Sequence, residues 1–452
     1  MPTKPSIVTL TNSSVDVLNA IRNSATQNYR DYVPIATLDA DSIRKIGTVI
    51  MDYPNLQNEF ISTLVNRIGR VIVTSKTYEN PWSVFKKGML EFGETIEEIF
   101  VNIAEPFTFD QSIAEKEVFK REIPDVKSAF HVMNYQKYYK VTISNDQLRQ
   151  AFLSWDGITD LISKIVETLY TSANYDEFQT MKYMLAVRML NGQMHTVDIP
   201  ELSKETIHEV VTTIKATSNA FEFQKTDYNL AGVYTHTKKN EQYLIVNSRF
   251  DAQMDVEVLA SAFNMDKAEF SGHRILVDGF GDLDIPRLNK LFYGDSTYQE
   301  ISQGELDALN KIPCILVDKE FFMIFDNFQN FTEQYNGEGL YWNYWYHVWK
   351  TFSISPFANN TLFTPTNAQV TSVTINPSEV TTTNNTTVNL SATVQTTGFA
   401  LQSVTWEIIV GDATVDSQGN VKIPETASGT ITVKATSVYD TSKFDECTIT
   451  IV

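Results

Sequence analysis

Beyond Asn359 the chain gives up a mixed pattern for an almost unbroken alternation of apolar and polar residues, and a period of two is the signature of strands with one dry face. Val388, Leu390, Ala392 and Val394 alternate with Asn389, Ser391, Thr393 and Gln395; Val404, Trp406 and Ile408 alternate with Thr405 and Glu407. Ile431, Val433 and Ala435 repeat the pattern, as do Cys447, Ile449 and Ile451. Turn signals at Asn384-Asn385, at 416–420 (DSQGN) and at Ser428-Gly429 divide the runs. Residues 369–452 contain three Lys, no Arg and eight Asp or Glu. This predicts one small all-β sandwich that folds alone, with Trp406 and the strand from Leu390 to Val394 at its centre. The polar segment 359–368 is its expected linker.

The preceding residues mix both periods. Ile158, Leu161, Ile162, Ile165, Val166 and Leu169 fall on one helical face, and the helix is expected to continue from Tyr175 through Leu190. Just before it a strand at 137–143 runs into the capping cluster Ser144-Asn145-Asp146. Residues 70–135 hold strand-like pieces at Val71 to Thr74 and Ile96 to Ile103 but too few apolar residues for a core of their own. They read either as a surface meander or as a projecting arm whose Trp82, Val84 and Phe85 find a partner elsewhere. Gly339 to Trp349 packs Trp342, Trp345, Trp349 and three tyrosines into eleven residues, a density suited to core or subunit packing.

The chain of 452 residues carries a formal charge of -19, which argues against a sequence-independent grip on nucleic acid, because that grip comes from Lys and Arg displacing counterions. No apolar run is long enough to cross a bilayer, and the opening residues lack the pattern of a secretion signal, so folding in the cytoplasm is expected. Two cysteines, Cys314 and Cys447, exclude a disulfide framework or a Cys-based zinc cluster. The run Asp278 to Asp284 lacks the spaced ligands of a calcium loop and reads as a strand and turn. His236 and His347 stand alone, no nucleophile, zinc-helix or phosphate-loop motif occurs, and no catalytic, cofactor or metal site is expected.

Particular residues carry two resemblances. Val373-x-Ile375-x-Pro377, Leu390-x-Ala392-x-Val394, Val404-x-Trp406, Val415-Asp416-x-x-Gly419-x-Val421 and Gly429-x-Ile431-x-Val433-x-Ala435-Thr436 resemble the bacterial immunoglobulin-like group 2 domain. From Val17 to Phe363 the chain resembles the major capsid proteins of the small Bacillus podophages. The residues concerned are 19–24 (NAIRNS), Tyr32-Val33-Pro34, 58–61 (NEFI) with Arg67-Ile68-Gly69, 85–88 (FKKG) and 95–99 (TIEEI). Val118-Phe119, Arg121-Glu122, 256–265 (VEVLASAFNM), 277–280 (VDGF), 316–319 (LVDK) and, most clearly, 339–349 (GLYWNYWYHVW) complete the match.

The second resemblance implies an α+β chain with the capsid fold of tailed phages and herpesviruses. Its expected parts are an N-terminal arm (1–60), an extended loop (61–135), a peripheral domain with a spine helix (136–195 and 326–358) and an axial domain (196–325), followed by the linker and the immunoglobulin-like domain (369–452). It implies assembly into pentamers and hexamers that enclose double-stranded DNA in an icosahedral or prolate shell. Implied partners are a scaffolding protein, a portal or connector, and packaged DNA without sequence-specific contact; contact with host-surface glycans is left open. The extended loop is expected to touch a neighbouring subunit through Trp82, Val84, Phe85, Lys86 and Lys87. No Lys and Asn here match the crosslinking pair of some relatives. The competing readings are a non-viral compartment shell, a surface adhesin, and a carbohydrate-active enzyme with an appended module.

Overall fold

The computed structural model describes residues 14–37, 39–53, 55–60, 63, 78–90, 95–104, 106, 124–147, 152, 167–254, 273–365 and 367–452. The expected strand at Val71 to Thr74, the helical face from Ile158 to Val166, and the motifs Arg67-Ile68-Gly69, Val118-Phe119, Arg121-Glu122 and 256–265 lie outside them.

The described residues begin with three helices: α1 (Ser14–Ser24), α2 (Gln27–Tyr32) and α3 (Ala40–Asp52). Thr26 caps α2 and Asp39 caps α3 through their side-chain oxygens. Ile43, Ile46 and Ile50 recur at helical spacing and are buried, so α3 presents one apolar stripe. That stripe packs on a four-stranded sheet ordered β1-β9-β10-β4, made of β1 (Lys86–Met89), β4 (Tyr135–Ser144), β9 (Phe322–Asn336) and β10 (Tyr341–Ile354). In β10 the aromatic run alternates strictly: Trp342, Tyr344, Tyr346 and Val348 are buried against the N-terminal helices, while Trp345, His347 and Trp349 lie half-buried on the other face. At the end of β4 the expected cap is present, since Ser144 Oγ accepts from Gln147 N (3.3 Å) and Gln147 Oε1 accepts from Ser144 N (3.1 Å).

The helix expected to reach Leu190 is α4 (Ser172–Leu190), entered through a π-turn at Glu167–Thr171. It is buried nearly all round rather than amphipathic. Met181, Leu185 and Met189 share a core with Tyr243, Ile245, Ile315, Val317 and Leu362, which form one face of a second sheet. This sheet is ordered β5-β11-β8-β6-β7, from β5 (Thr196–Asp198), β6 (Gln242–Asn247), β7 (Arg274–Val277), β8 (Cys314–Asp318) and β11 (Asn360–Thr364). Its other face, with Leu244, Val246, Cys314, Leu316 and Phe363, is covered by α5 (Ile207–Ala220) and α6 (Ser248–Gln253). A sheet covered on both sides needs continuous apolar strands, which is why β6 and β8 show no alternation. Two short helices, α7 (Ile285–Leu291) and α8 (Gln303–Leu309), close this part; Asp284 caps α7 and Ser302 with Glu305 forms a capping box on α8. The run from Asp278 to Asp284 is a turn leading from β7 into α7, as expected.

The expected linker 359–368 requires correction. Its residues 360–364 are β11, wholly buried, parallel to β5 and antiparallel to β8. Asn360 is held on both sides of its amide, its Nδ2 donating to Ala358 O (3.1 Å) and its Oδ1 accepting from His195 N (3.3 Å), and Asn359 Nδ2, just before the strand, donates to Thr237 Oγ1 (3.1 Å). Residues 369–452 hold nine strands: β12 (Gln369–Asn376), β13 (Glu379–Thr382), β14 (Thr387–Asn389), β15 (Ser391–Thr397), β16 (Val404–Val410), β17 (Thr414–Val415), β18 (Asn420–Lys422), β19 (Thr430–Ser437) and β20 (Phe444–Ile451). They pair as β12-β15, β13-β20-β19-β16 and β14-β18-β17 and enclose one core containing Val373, Leu390, Val394, Ile431, Val433, Cys447 and Ile449. Trp406 is not at the centre of that core. It packs half-buried at the rim beneath the turn, where Gly419 has φ +83 and an added Cβ would lie 2.8 Å from Trp406 Cζ2.

Candidate assembly site

Two neighbouring features carry the chemistry between β1 and β4: a buried charge cluster and a two-stranded ribbon. The cluster joins four elements. Lys86 Nζ of β1 lies 3.1 Å from Glu177 Oε2 of α4 and 2.8 Å from Asp326 Oδ2 of β9. Lys350 Nζ of β10 pairs with the same Glu177 and lies 2.6 Å from Asp326 Oδ1. Asn80 Nδ2 donates to the other Glu177 oxygen (2.6 Å). Two cations and two anions therefore cancel in the interior, which is the condition for burying them at tolerable cost. Burial alone would raise the Asp326 carboxyl, but Lys350 and Lys86 hold it below the usual carboxylate range. The cluster sits where the β9-β10 pairing slips, with Phe328 opposite Trp349 and Asp326 opposite Lys350, so that Asn327 is bulged out.

This changes the reading of the five residues expected to reach a neighbouring subunit. Trp82 and Phe85 are fully buried in their own chain, Trp82 edge-on to Phe178 (5.4 Å) and Phe85 against Phe322 (4.9 Å) and Tyr243 (5.2 Å). Lys86 belongs to the charge cluster, and Lys87 Nζ pairs with Glu320 (2.6 Å) and Lys319 O (3.1 Å). Only Val84 turns its side chain outward. The physical reason is the 3₁₀ turn at Ser83–Phe85, which folds the chain under so that β1 can pair parallel to β9. The aromatic trio also divides: Trp342 is buried between Tyr335 (5.0 Å) and Tyr344 (6.5 Å), whereas Trp345 lies beneath Lys140 (5.6 Å) and Trp349 against Phe328 (4.8 Å).

The ribbon pairs β2 (Ile96–Val101) with β3 (Val126–His131), antiparallel, with Val101 opposite Val126 and Glu97 opposite Phe130. Its inner face rests on its own chain. Phe100 stacks on Phe357 (5.7 Å), and Lys127 Nζ donates to Ala231 O (2.7 Å). Glu98 accepts from Ser355 Oγ (2.8 Å) and lies 3.2 Å from His131 Nε2, while His131 Nδ1 lies 2.7 Å from Ser353 Oγ. The outer face is open and mostly apolar: Ile99, Val101, Val126 and Phe130 are exposed, Phe130 by 64%, beside Glu97 and Ser128, with Ile103 and Val132 beyond the strand ends. Contiguous exposed apolar side chains of this kind mark a surface that another molecule covers. Trp82 and Phe85, expected to find a partner elsewhere, are covered within the chain because their burial depends on α4 and β9, far away in sequence.

Among the described residues no three His, Cys, Asp or Glu are placed to hold a metal, and no helix is long and apolar enough to cross a membrane. His131 is held as above, His195 by Thr361 Oγ1 (3.1 Å), His236 by Gln224 (3.0 Å), and His347 lies 5.7 Å from the Tyr138 ring.

The family described as Phi29-like phage major capsid protein matches residues 18–364, a span that ends with β11. The chain belongs to that family. The major capsid protein of Bacillus phage B103 is 35% identical over 431 residues, covering 94% of this chain and 90% of that relative. That of Bacillus phage PZA is 34% identical over 430 residues, covering 94% and 90%, and that of Streptococcus phage Cp-1 is 28% identical over 361 residues, covering 77% and 93%. Among solved structures, the capsid structure of Staphylococcus phage Andhra aligns with TM-score 0.50 at 18% identity, over 65% of this chain and 86% of that one. At that identity the likeness is one of fold, and the fold is that of a tailed-phage capsid. This protein is thus a phage major capsid protein: it associates with copies of itself to form the capsid shell and is a component of the virion.

Proposed function

We propose that the shell is closed by the β2-β3 ribbon lying over a neighbouring copy of the chain, which covers the open apolar face of Ile99, Val101, Val126 and Phe130. That face is the observation on which the reading stands: its reverse side is already anchored to its own chain, and a shell protein meets further copies of itself on every side. In this reading α4 is the spine helix, the β1-β9-β10-β4 sheet the peripheral domain, and the second sheet with α5 and α6 the axial domain. Val84 contributes beside the ribbon. Residues 369–452 are the immunoglobulin-like group 2 domain, carried on the outer surface with its acidic groups in solvent, and the chain has no catalytic role.

A scaffolding protein would assist assembly, a portal would occupy one vertex, and DNA would slide past without sequence-specific contact. The test is the double substitution Ile99→Asp with Phe130→Asp. The chain should stay folded with an unchanged melting midpoint and fail to form shells when coexpressed with its scaffolding protein. Normal shells from that chain would overturn the proposal.

A further inference from the structure

The connection between α4 and β5 is gripped by a loop from the C-terminal module. Phe399, in the turn after β15, is buried, and its ring belongs to the core shared by α4 and the second sheet rather than to the core of its own module. Its carbonyl accepts from Thr196 Oγ1 at the start of β5 (2.7 Å). Gln402 N donates to Gly192 O just beyond the end of α4 (2.8 Å). Gly192 adopts φ +57, and an added Cβ would lie 2.5 Å from Ala400 O and 2.7 Å from Gln402 Cγ, so glycine is required both for the backbone and for the approach. A second clasp closes the other side: Asp198 at the end of β5 accepts from Tyr439 Oη (2.8 Å) and from Ala368 N (3.0 Å).

We propose that this loop is a cis lock with Phe399 as its key, making the C-terminal module a rigid extension of the shell-building body. Only residues 365–368 separate β11 from β12, and they are held at one end by the Asp198 clasp, so little chain remains to act as a tether. The module's direction in each subunit then follows the C-terminal end of α4. The lock does not depend on which side of the shell the module faces or on what the ribbon covers; it rests on the residues at the joint.

The experiment is limited proteolysis of the full chain with proteinase K, followed by gel filtration of the nicked protein. In the wild-type chain the segment 365–368 should resist cleavage, and any chains cut there should still elute as one species. Phe399→Ser and, separately, Gly192→Val should be cut at least tenfold faster, with two folded fragments that elute apart, whereas Phe399→Leu should behave like wild type. If Phe399→Ser does not fold, Gly192→Val and the wild-type elution decide. The proposal is overturned if the nicked wild-type halves separate, or if the folded variants are cut at the wild-type rate.

Discussion

Glu177 is costly to bury, and its carboxylate stays inside the protein because Lys86, Lys350 and Asn80 together hold it. Lys350→Met removes one of two cations from a site with two carboxylates and leaves an uncompensated buried charge, for which the expected loss is about 3–5 kcal/mol. Urea unfolding at neutral pH measures it, and a loss below about 1 kcal/mol would mean that the cluster is not acting as a unit. The sign of the pH dependence follows from Asp326, whose carboxyl is held below its ordinary range in the folded chain. Its contribution is present above the unfolded carboxylate value and is lost as pH falls through the folded one. Trp82→Ala or Phe85→Ala should each cost about 3–5 kcal/mol of monomer stability, since both rings are fully buried in the same core. Trp82→Phe should cost far less, because the indole N–H has no acceptor among the described residues. A folded, fully stable Trp82→Ala chain that merely assembled poorly would restore the intersubunit role first expected of it.

At the scale of elements, the turn between α4 and β5 carries a pH response. His195 packs edge-on against Tyr228 (4.8 Å), and burial pushes its imidazole down to about 4. An unfolded histidine titrates near 6.5, so the unfolded chain takes up the proton first as the solution is acidified. Stability present above pH 6.5 is therefore lost as pH falls toward 4, at most about 3 kcal/mol, reduced by the water that still reaches the ring edge. His195→Gln should flatten the stability profile between those limits, and an unchanged slope would place the response elsewhere. Which elements could be read from sequence follows from where their partners lie. The strands beyond Gln369 were legible because one wet face imposes alternation, as in Ile431, Val433 and Ala435 of β19. The Ser144 cap was legible because its partner Gln147 is three residues away. β11 was not, since Asn360 and Thr361 look like a linker until β8 pairs with them and His195, just before β5, bonds to their side chains. The charge cluster was illegible for the same reason: Lys86 and Asp326 are brought together only by the parallel pairing of β1 with β9.

Across the whole molecule, the charge of -19 predicts that duplex DNA gains no counterion-release affinity here, so binding should be weak and nearly independent of salt between 50 and 200 mM. Tight, salt-sensitive binding would contradict it. The division between shell-building body and C-terminal module gives the sharper prediction, because the cut can be made at two places with opposite results. Ending the chain after Asn360 removes Thr361 to Thr364, the buried run of β11 between β5 and β8, and exposes both the unpaired edges of β5 and β8 and the apolar residues that Leu362 and Phe363 cover. That chain should be insoluble. Ending it after Asn367 keeps β11 whole and stops just past the span shared with the capsid family, at residue 364. That chain loses Phe399 and the Gly192 and Asp198 contacts but keeps every strand of both body sheets. It should fold, form closed shells under the conditions in which the full chain does, and melt several degrees lower, as expected when one buried aromatic leaves a core of this size. Electron microscopy and differential scanning calorimetry of the two truncated chains, beside the full one, decide the matter. Tubes or sheets from the longer truncation would mean that the locked module helps to set shell curvature; closed shells from the shorter one would mean that β11 is dispensable and the boundary lies at Asn359 after all.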